Sequence, residues 1–353
     1  MDFNDLSRRR CAWLRDGGPD ADVAISSRVR LARNLSEFSF VGRATENDLR
    51  GVVDACARAA EKAFSPDEAE TLDMSKVSFD DARLLQERLL ASREFVEAVD
   101  RPRALVLRND ETFSAMINEE DHLRLQAVAS GFALNELWKK IDKIDDAFEA
   151  ELDYAFDEKW GYLTACPSNV GAGIRASAML HLPALLETNE IEKVLRGLQK
   201  MNLAVRGIFG EGSRIVGEFF QISNQATLGV SEEEVVEQLR EVIASVINYE
   251  RQARQTMLEK DRDGAMDRCC RAFALLKSAR TISADEAFAH LSSVRLGVSL
   301  RLIESAPISI VNELTTAIRS SHLRRLTGTK PDAEIDEEAL RAGYVREKLK
   351  DYD

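Results

Sequence analysis

The chain has 353 residues, 44% of them hydrophobic, which is enough to bury a sizeable core, and we expect two domains. The formal net charge of −13 argues against general binding of nucleic acid. No run of eighteen apolar residues occurs and residues 1–15 carry charges throughout, so the sequence predicts neither a membrane-spanning helix nor a signal peptide. The five cysteines and four histidines lack disulfide-like or zinc-binding spacing, which indicates a cytoplasmic protein with reduced thiols.

Helices and strands alternate in the first part of the chain. Thr45 and Asp48 are placed like a helix cap and a first-turn acid, which predicts a helix over residues 45–63. Residues 104–108 and 112–117 are predicted to form strands on either side of an Asn-Asp-Glu turn. A long helix follows, because apolar residues recur at helical spacing at Leu137, Ile141, Ile144, Phe148 and Leu152.

Residues 116–128 begin apolar and then alternate between polar and apolar side chains. This period of two predicts a half-buried strand on which Glu120, His122 and Arg124 share one face. The same alternation turns Glu119 away from Arg124. A carboxylate, an imidazole and a guanidinium on one face are typical of the wall of a polar site, although a solvated strand face would show the same pattern.

The last part of the chain is predicted to be helical. Ser231 and Glu234 form a capping box that begins one helix, and Ser283 with Glu286 begins another. After Arg254 the pattern indicates helices only.

A domain boundary is predicted at residues 259–264, where charges cluster and a glycine appears. The predicted domains are therefore 1–258, which would be catalytic, and 259–353, which would be helical. Pro331 with its acidic neighbours indicates an exposed linker within the second domain.

Residues 166–177 combine a thiol, a glycine-rich turn and an arginine. Gly171 and Gly173 have no Cβ, so the backbone amides of this turn are expected to approach an anion closely. Arg175 adds a cation suited to phosphate oxygens. No Lys-Ser or Lys-Thr pair follows the glycines, so this is not a P-loop, and the sequence predicts phosphate binding by another geometry.

Five motifs in a fixed order resemble the guanidino-phosphotransferase family, the phosphagen kinases such as arginine and creatine kinase. The two most specific are Asn-Glu-Glu-Asp-His-Leu-Arg at 118–124 and Cys-Pro-Ser-Asn-x-Gly-x-Gly-x-Arg-Ala-Ser at 166–177. The resemblance covers about residues 13–255. The other three motifs are Ser-Ser-Arg-Val-Arg-Leu-Ala-Arg-Asn at 26–34, Arg-Gly-Ile-Phe-Gly-Glu at 206–211 and Gln-Ile-Ser-Asn-Gln-x-Thr-Leu-Gly at 221–229.

The resemblance implies an α/β (α+β) fold in which an antiparallel sheet is flanked by helices and followed by a C-terminal all-helical domain. Members with small substrates carry a helical domain before the first arginine motif, whereas only a short segment precedes Ser26 here. We therefore expect an open site that admits a side chain on a protein. This layout resembles the bacterial branch of the family, the protein arginine kinases, and implies ATP and Mg²⁺ as the phosphoryl donor and its metal.

The chemistry implied by the resemblance requires a carboxylate beside the substrate. Arginine is a weak nucleophile, because its guanidinium keeps its proton until about pH 12. A pair of carboxylates can hold a guanidinium and accept that proton. By resemblance the pair is Glu120, the base, and Glu211. Cys166 would orient the guanidinium as a thiolate rather than act as a covalent nucleophile, with an inert buried cysteine as the alternative.

By resemblance, five arginines hold the nucleotide phosphates, with Mg²⁺ bridging the β and γ groups. Five cations unpaired within the protein would repel one another, which makes sense only if a polyanion compensates them. His122 is expected either beside the nucleotide or in the core, and no residue is predicted as a direct metal ligand. The five are Arg28, Arg30, Arg124, Arg175 and Arg206, and the neighbours expected at the nucleotide are Ser26, Ser27, Val29, Ala176, Ser177, Ala178, Met179, Gly207, Ile208, Phe209 and Gly210.

Two positions depart from the family pattern. Leu89 stands where the bacterial branch often has a histidine, which puts one nucleotide contact in doubt. The C-terminal region of that branch carries an Arg-Asp-x-x-Arg-Ala element that recognises phosphoarginine, whereas this chain has Glu-Glu-Ala-Leu-Arg-Ala at 337–342. Arg341 remains, but an acid at Glu337 would repel a phosphorylated side chain. Regulation by phosphoarginine at this element is therefore not expected.

The resemblance also implies partners. These are protein substrates with exposed arginines, a zinc-binding activator protein, a Clp ATPase and a second copy of the chain in a homodimer, but no nucleic acid or membrane. The role would be to mark proteins for Clp-type degradation or to regulate a stress-response repressor. The acidic net charge is compatible with the steering of basic substrates. Two alternatives stay open, a kinase for a small free guanidine and a catalytically weak adaptor that binds proteins through the C-terminal helices.

Overall fold

A computed structural model describes residues 1–207, 217–330 and 334–352. The strands in these ranges are β1 (Ala24–Arg33), β2 (Ala69–Asp73), β3 (Ala104–Arg108), β4 (Phe113–Ile117), β5 (Leu123–Ser130), β6 (Phe156–Asp157), β7 (Gly161–Tyr162), β8 (Ile174–His181), β9 (Leu203–Gly207) and β10 (Phe219–Asn224). Eight of the described strands form one antiparallel sheet in the order β2-β3-β4-β5-β1-β8-β10-β9, while β6 and β7 form a separate hairpin.

Helices flank the sheet and make up the C-terminal part of the chain. They are α1 (Phe3–Arg8), α2 (Glu46–Ala63), α3 (Phe79–Glu87), α4 (Arg93–Glu97), α5 (Leu134–Glu149), α6 (Pro183–Glu187), α7 (Ile191–Lys200), α8 (Glu232–Ser278), α9 (Ala284–Ser299), α10 (Ile308–Ala317), α11 (Ser320–Leu326) and α12 (Glu337–Leu349). Short 3-10 helices lie at Ala12–Leu14, Met74–Lys76 and Pro167–Asn169. The predicted class, an antiparallel sheet flanked by helices with a helical C-terminal region, is confirmed.

The helix starts follow the capping signals in the sequence. The Thr45 side chain accepts from the backbone amide of Asp48, and the Asp48 carboxylate accepts from the backbone amide of Thr45, so α2 begins with a reciprocal capping box. The same exchange links Ser231 and Glu234 at the start of α8. These local bonds satisfy amides that have no partner within the helix.

Two apolar cores lie on opposite faces of the sheet. Along β3, Ala104 and Val106 pack into the larger core, whereas Leu105 and Leu107 pack into a smaller one with Phe95. Successive side chains on a strand point to opposite faces, so one sequence run supplies both cores. In the middle of the sheet the described residues form no apolar core on the second face, and this is where the candidate site lies.

Helix α8 runs through the predicted domain boundary. Its backbone leaves helical geometry at Asp261, with φ −156° and ψ 78°, and the Asp261 carboxylate accepts from the amide of Gly264. The residue therefore kinks the helix and caps the half that follows.

No helix in the described ranges is long and apolar enough to cross a membrane. The predicted linker at Pro331 lies outside the described residues.

Arg33 joins β1 to two of the flanking helices. Its side chain is 1% exposed, and Nη2 lies 2.5 Å from Asp145 Oδ2 on α5 and 2.7 Å from Glu232 Oε1 on α8. Its guanidinium carbon lies 3.5 Å from the centre of the Tyr162 ring. Loss of this cation would leave two partly buried carboxylates without their partner.

We expect Arg33→Met to lower the free energy of unfolding by about 3–5 kcal/mol, because breaking a buried ion pair leaves uncompensated charge. Chemical denaturation measures this change. Arg50→Met is the matched control, since Arg50 pairs with Glu46 at the surface and its side chain is 64% exposed. That control is expected to change stability by about 0.5 kcal/mol or less. Equal losses in the two variants would contradict the structural role of Arg33.

Candidate active site

A cavity of about 800 Å³ opens on the face of the sheet opposite the larger core. This size is within the range of about 300–1,000 Å³ that is usual for ligand sites. Its floor consists of side chains from β1, β5, β8, β9 and β10. Its walls come from residues 119–120, residues 165–169, the end of α3, and the junction of α10 and α11.

Strand register gathers the cations on this floor. Arg28 and Arg30 lie two residues apart on β1, so their side chains share one face. Arg30 pairs across the sheet with Arg175 on β8, while the position of Ala32 pairs with Arg124 on β5. Arg206 joins the lining from β9. The structure thus brings together all five arginines that the sequence predicted at the phosphates.

Two of these cations, Arg28 and Arg30, are half-buried, and their partial loss of water has a cost. Burial, together with the nearby charges of Arg175 and Arg124, lowers the pKa of Arg28 to about 10. Burial and the neighbouring arginines lower the pKa of Arg30 well below its ordinary value, against a smaller opposing effect of Glu119. The Nε atom of Arg30 is buried without a hydrogen-bond partner in the described part of the chain. Such a group calls for an acceptor that the described residues do not supply.

The expectation that all five arginines are unpaired is wrong: Arg124 pairs with two carboxylates, and Arg175 donates to Ser223 Oγ at 3.2 Å. Arg124 Nη1 lies 2.7 Å from Glu119 Oε2, and its Nη2 lies 3.0 Å from Glu120 Oε2. Arg124 therefore connects the cationic floor to the two carboxylates of the cavity wall. It can contact an anion and orient a carboxylate at the same time.

The predicted strand over residues 116–128 is wrong in its first half. Strand β4 ends at Ile117 and β5 begins at Leu123, so residues 118–122 form a turn. Asn118 has φ +61°, the left-handed region that asparagine tolerates better than most residues, and its amide donates to the carbonyls of Leu49 and Pro102. The alternation of side chains stops in the turn, and for that reason Glu119 faces Arg124 instead of pointing away from it.

Glu119 and Glu120 have different environments. Glu119 is 1% exposed and accepts from Ser92 Oγ at 2.6 Å and from the Glu120 amide at 2.8 Å. Burial acts to raise its pKa, but Arg124 and these donors outweigh burial and lower it. Glu120 is 46% exposed, and partial burial with the neighbouring carboxylates raises its pKa despite Arg124. Glu119 is therefore a fixed anion, whereas Glu120 is poised to accept a proton.

His122 belongs to the core, one of the two expected outcomes. It is 0% exposed; its Nδ1 accepts from the Leu35 amide at 3.1 Å, and its Nε2 lies 2.9 Å from the Ser39 carbonyl. These partners assign the proton to Nε2, and burial lowers the pKa of the ring. The neutral imidazole holds residues 35–39 against the turn and does not line the cavity.

Asp121 ties the turn to the segment that carries Cys166. Its Oδ1 accepts from the Ala165 amide at 2.7 Å and from Asn34 Nδ2 at 2.7 Å. Cys166 then lies in the cavity wall, half-buried, with Sγ 3.0 Å from Ser168 Oγ. A single buried carboxylate thus sets the position of the thiol relative to Glu120.

Two amides of the glycine-rich turn, those of Gly171 and Ala172, are used within the protein and are not offered to an anion. The Gly171 amide donates to the Tyr162 carbonyl and the Ala172 amide to the Thr227 carbonyl. Gly171 has φ +110°, and a Cβ there would lie 2.3 Å from the Thr227 carbonyl oxygen. The glycine is needed for close packing of backbones, so the cations of the floor supply the positive charge.

The other residues predicted at the nucleotide divide between the two faces of the sheet. Ser26, Ser177 and Met179 line the cavity. Gly207 is buried at the end of β9. The side chains of Ser27, Val29, Ala176 and Ala178 point into the larger core or its edge, so any contact of these residues with a ligand would be made by their backbone, and their place at the nucleotide stays a prediction. Ile208, Phe209, Gly210 and Glu211 lie outside the described residues.

A comparison with protein families agrees with this geometry. A family model described as the C-terminal catalytic domain of ATP:guanido phosphotransferases matches residues 51–253, more than half of the chain. The chain belongs to the ATP:guanido phosphotransferase family. A second model, described as the C-terminal domain of the protein-arginine kinase McsB, matches residues 262–353.

Curated relatives cover nearly the whole chain. A protein-arginine kinase of Halalkalibacterium halodurans is 43% identical over 98% of this chain and 97% of its own length. A protein-arginine kinase of Brevibacillus brevis is 42% identical over 96% of this chain and 95% of its own length. Among solved structures, a lombricine kinase is similar with a TM-score of 0.59 at 26% identity, covering 70% of each chain. This member of the ATP:guanido phosphotransferases is therefore a phosphotransferase with a bacterial type of C-terminal region.

Sequence reasoning missed part of the cavity wall of this family member. Gln221 and Val128 could have been found, because each lies on a strand at a position that shares the cavity face. Thr315, Thr316 and Arg319 also line the cavity, from α10 and the residue that precedes α11. No local signal in the sequence relates them to the arginine motifs, since they are brought there by the packing of the C-terminal helices.

The altered C-terminal element is structural in this chain. Arg341 is 3% exposed, and its guanidinium donates to the carbonyls of Ile318 and Ile282 and to Glu337. Glu337 also pairs with Arg324 at 3.2 Å. The acid at Glu337 therefore compensates the cations that would otherwise be available to a phosphate.

We expect Glu120→Gln to lower kcat for phosphoryl transfer by about 10²–10⁴-fold while nucleotide affinity is kept, because an amide cannot accept the proton. In the parent enzyme kcat/KM should decrease as the pH is lowered, and the midpoint of this decrease should lie above 4.5, the ordinary pKa of a glutamate, since the pKa of Glu120 is raised and the protonated carboxyl cannot act as a base. Steady-state rates across pH measure both effects. Glu94→Gln is the control, an exposed carboxylate on the same cavity. Retained activity in Glu120→Gln would remove it as the base.

We expect Arg30→Met to weaken ADP binding by roughly 10–100-fold, the equivalent of lost charged hydrogen bonds. Without nucleotide, the variant should melt at the same temperature as the parent or higher, because it removes a half-buried cation whose buried Nε has no hydrogen-bond partner among the described residues. Calorimetry measures both quantities. Arg33→Met provides the contrast, since that buried arginine has partners and its loss should lower the melting temperature. A lower melting temperature for Arg30→Met would show that Arg30 stabilises the empty fold.

Proposed function

We propose that this protein is a protein arginine kinase that transfers the γ-phosphoryl group of ATP to the guanidinium side chains of protein arginines. The observation that carries the proposal is the pairing of a cationic floor with Glu120 across one cavity, joined by Arg124. Relatives that span the whole chain bear the name protein-arginine kinase, which supports the same assignment.

The nucleotide phosphates would lie on the cationic floor. The cavity has the volume for a nucleotide, and the buried Nε of Arg30 needs an acceptor. Ser26, Ser177 and Met179 lie beside the arginines on the same face and would contact the rest of the nucleotide. The described residues contain no cluster of three metal-ligating side chains, so Mg²⁺ would be held mainly by phosphate oxygens and water, as is usual in kinases. Bound there, it would neutralise charge on the transferred group.

Phosphoryl transfer would begin with removal of a proton from the substrate guanidinium by Glu120. The freed nitrogen lone pair forms the bond to the γ-phosphorus, and the bond from that phosphorus to the β–γ bridging oxygen breaks. The products are phosphoarginine, ADP and a proton on Glu120, which solvent then removes. Catalysis of this kind depends on alignment and on neutralising charge, which is what Arg124, fixed by Glu119, would contribute.

Two further groups would hold the substrate guanidinium. Cys166 lines the same cavity as the carboxylates and would orient the guanidinium as a thiolate. Glu211 is proposed as the second carboxylate, by resemblance, although it lies outside the described residues. We propose residues 1–258 as the catalytic domain and 259–353 as a helical domain for dimerisation and for binding of substrates or partners.

The cellular role belongs to the same proposal. The enzyme would act in the cytoplasm as a homodimer and mark proteins for Clp-type degradation or regulate a stress-response repressor. A zinc-binding activator protein and a Clp ATPase would be its partners. The C-terminal region that matches the McsB family model supports this setting.

A kinase for a small free guanidine is the second candidate. The similarity of the fold to a lombricine kinase at 26% identity supports it. The two candidates differ in what enters the cavity, a free guanidine or an arginine side chain on a protein.

The purified chain should be incubated with Mg²⁺ and labelled ATP in the presence of an unfolded basic protein or of free L-arginine. We expect acid-labile label on arginine residues of the protein and little on the free amino acid. Glu120→Gln is the control for contaminating kinases. Label on free arginine alone would favour the small-guanidine kinase, and no label with either substrate would favour the adaptor or an enzyme that requires its activator protein.

A further inference from the structure

The floor of the cavity changes in chemistry along its length. Arg124, beside Glu120, lies opposite Ala32 on β1. Ser26 is six residues from Ala32 on the same strand, so roughly 20 Å separate the two ends of the floor. Each of three neighbouring strands carries an arginine toward Glu120 and an uncharged side chain toward the other end. These pairs are Arg124 and Val128 on β5, Arg30 and Ser26 on β1, and Arg175 and Met179 on β8.

The C-terminal helices form the wall at the uncharged end of this floor, which we call the neutral end. Ser130, which pairs with Ser26 in the sheet, donates from Oγ to the Arg15 carbonyl, so residues 14–15 lie at this end. Asn312 Nδ2 on α10 donates to the Leu14 carbonyl at 3.2 Å. One turn further along the chain, α10 lines the cavity. Helix α10 is therefore attached to the sheet beside the neutral end.

Arg319 lines the cavity from the same wall. Its side chain is half-buried, and it is the last residue before α11. Glu87, at the end of α3, accepts from the amides of Ser321 and His322 at 3.0 Å each, and its Oε2 lies 2.9 Å from His322 Nδ1. Amides in the first turn of a helix have no partner within that helix. The buried carboxylate of Glu87 therefore fixes the backbone that carries Arg319.

The change from cations to uncharged side chains orients a bound nucleotide. Transfer to a guanidinium beside Glu120 requires the γ-phosphate at the cationic end of the floor. The nucleoside then lies at the neutral end, where Val128 and Met179 offer apolar contact to the base. An arginine guanidinium is planar, stacks on aromatic faces and donates hydrogen bonds, which suits an adenine ring and ribose oxygens. Arg319 supplies such a group in the wall at this end.

We propose that Arg319 contacts the nucleoside of bound ATP, with its guanidinium against the adenine ring. The nucleotide site is then completed by the second predicted domain, residues 259–353, and Glu87 is the positioning residue that holds this contact in place. The inference rests on the proposed function. It gives the C-terminal helical region a direct part in nucleotide binding, in addition to dimerisation and the binding of substrates or partners.

Binding of Mg²⁺-ADP and of Mg²⁺-pyrophosphate to Arg319→Met, measured by calorimetry, tests the proposal. ADP affinity should fall about five- to tenfold, because a cation on a ring is lost, whereas pyrophosphate affinity should stay unchanged. Arg30→Met is the contrast, since it should weaken both ligands. Arg271→Met is the matched control, an arginine of the C-terminal helices whose side chain is 80% exposed, and it should bind both ligands like the parent.

Hydrogen exchange of the parent protein tests the same contact without a substitution. Amides of residues 315–326 should exchange more slowly with bound ADP than with bound pyrophosphate, because only ADP carries the nucleoside. Equal protection by the two ligands would contradict the contact.

The binding data separate this inference from the proposed function. If the parent binds both ligands and Arg319→Met binds ADP equally well, the inference is wrong and the proposed function stands. An equal loss of ADP and pyrophosphate affinity would assign Arg319 to the phosphates and would also overturn the inference. If the parent binds neither ligand, the nucleotide site of the proposed function is wrong, and this inference with it.

Discussion

The structure depends on a set of arginine side chains that share one face of the sheet. Charges of the same sign repel, and burial strengthens that repulsion by removing water. The lowered pKa values of Arg28 and Arg30 express this cost. The sheet imposes the arrangement, because antiparallel pairing on both sides of β1 fixes which side chains are neighbours. The arginines of the floor therefore repel one another in the empty protein, and a bound polyanion would neutralise their charge.

The remaining parts of the site connect to this set. Arg124 belongs to the cationic floor and also pairs with Glu119 and Glu120. Asp121 in the same turn holds the segment before Cys166. Residues on three separate stretches of the chain thus keep fixed positions through a few buried hydrogen bonds. A change in the turn would therefore move Glu120, Cys166 and the cationic floor relative to one another.

Much of the fold and of the floor could be predicted from the sequence. Capping residues such as Thr45 and Ser231 act locally, and alternation along β1 places Arg28 and Arg30 on one face. The turn at residues 118–122 could not be recognised by alternation, because its shape depends on bonds from Asn118 and Asp121 to distant segments. Close packing of Gly171 against Thr227 could not be predicted either, because the two residues are distant in the sequence. Thr316 and its neighbours reach the cavity only through tertiary packing, which no local pattern encodes.

The most direct measurement of the central claim is thermal unfolding of the protein with adenosine, AMP, ADP and ATP at equal concentrations and low salt. If the cationic floor binds the phosphates, stabilisation should be small with adenosine and should rise with each phosphate, because tighter binding to the folded state raises the melting temperature. High salt should reduce the differences. Equal stabilisation by adenosine and ATP would contradict the account, since recognition would then rest on the nucleoside and not on the buried arginines.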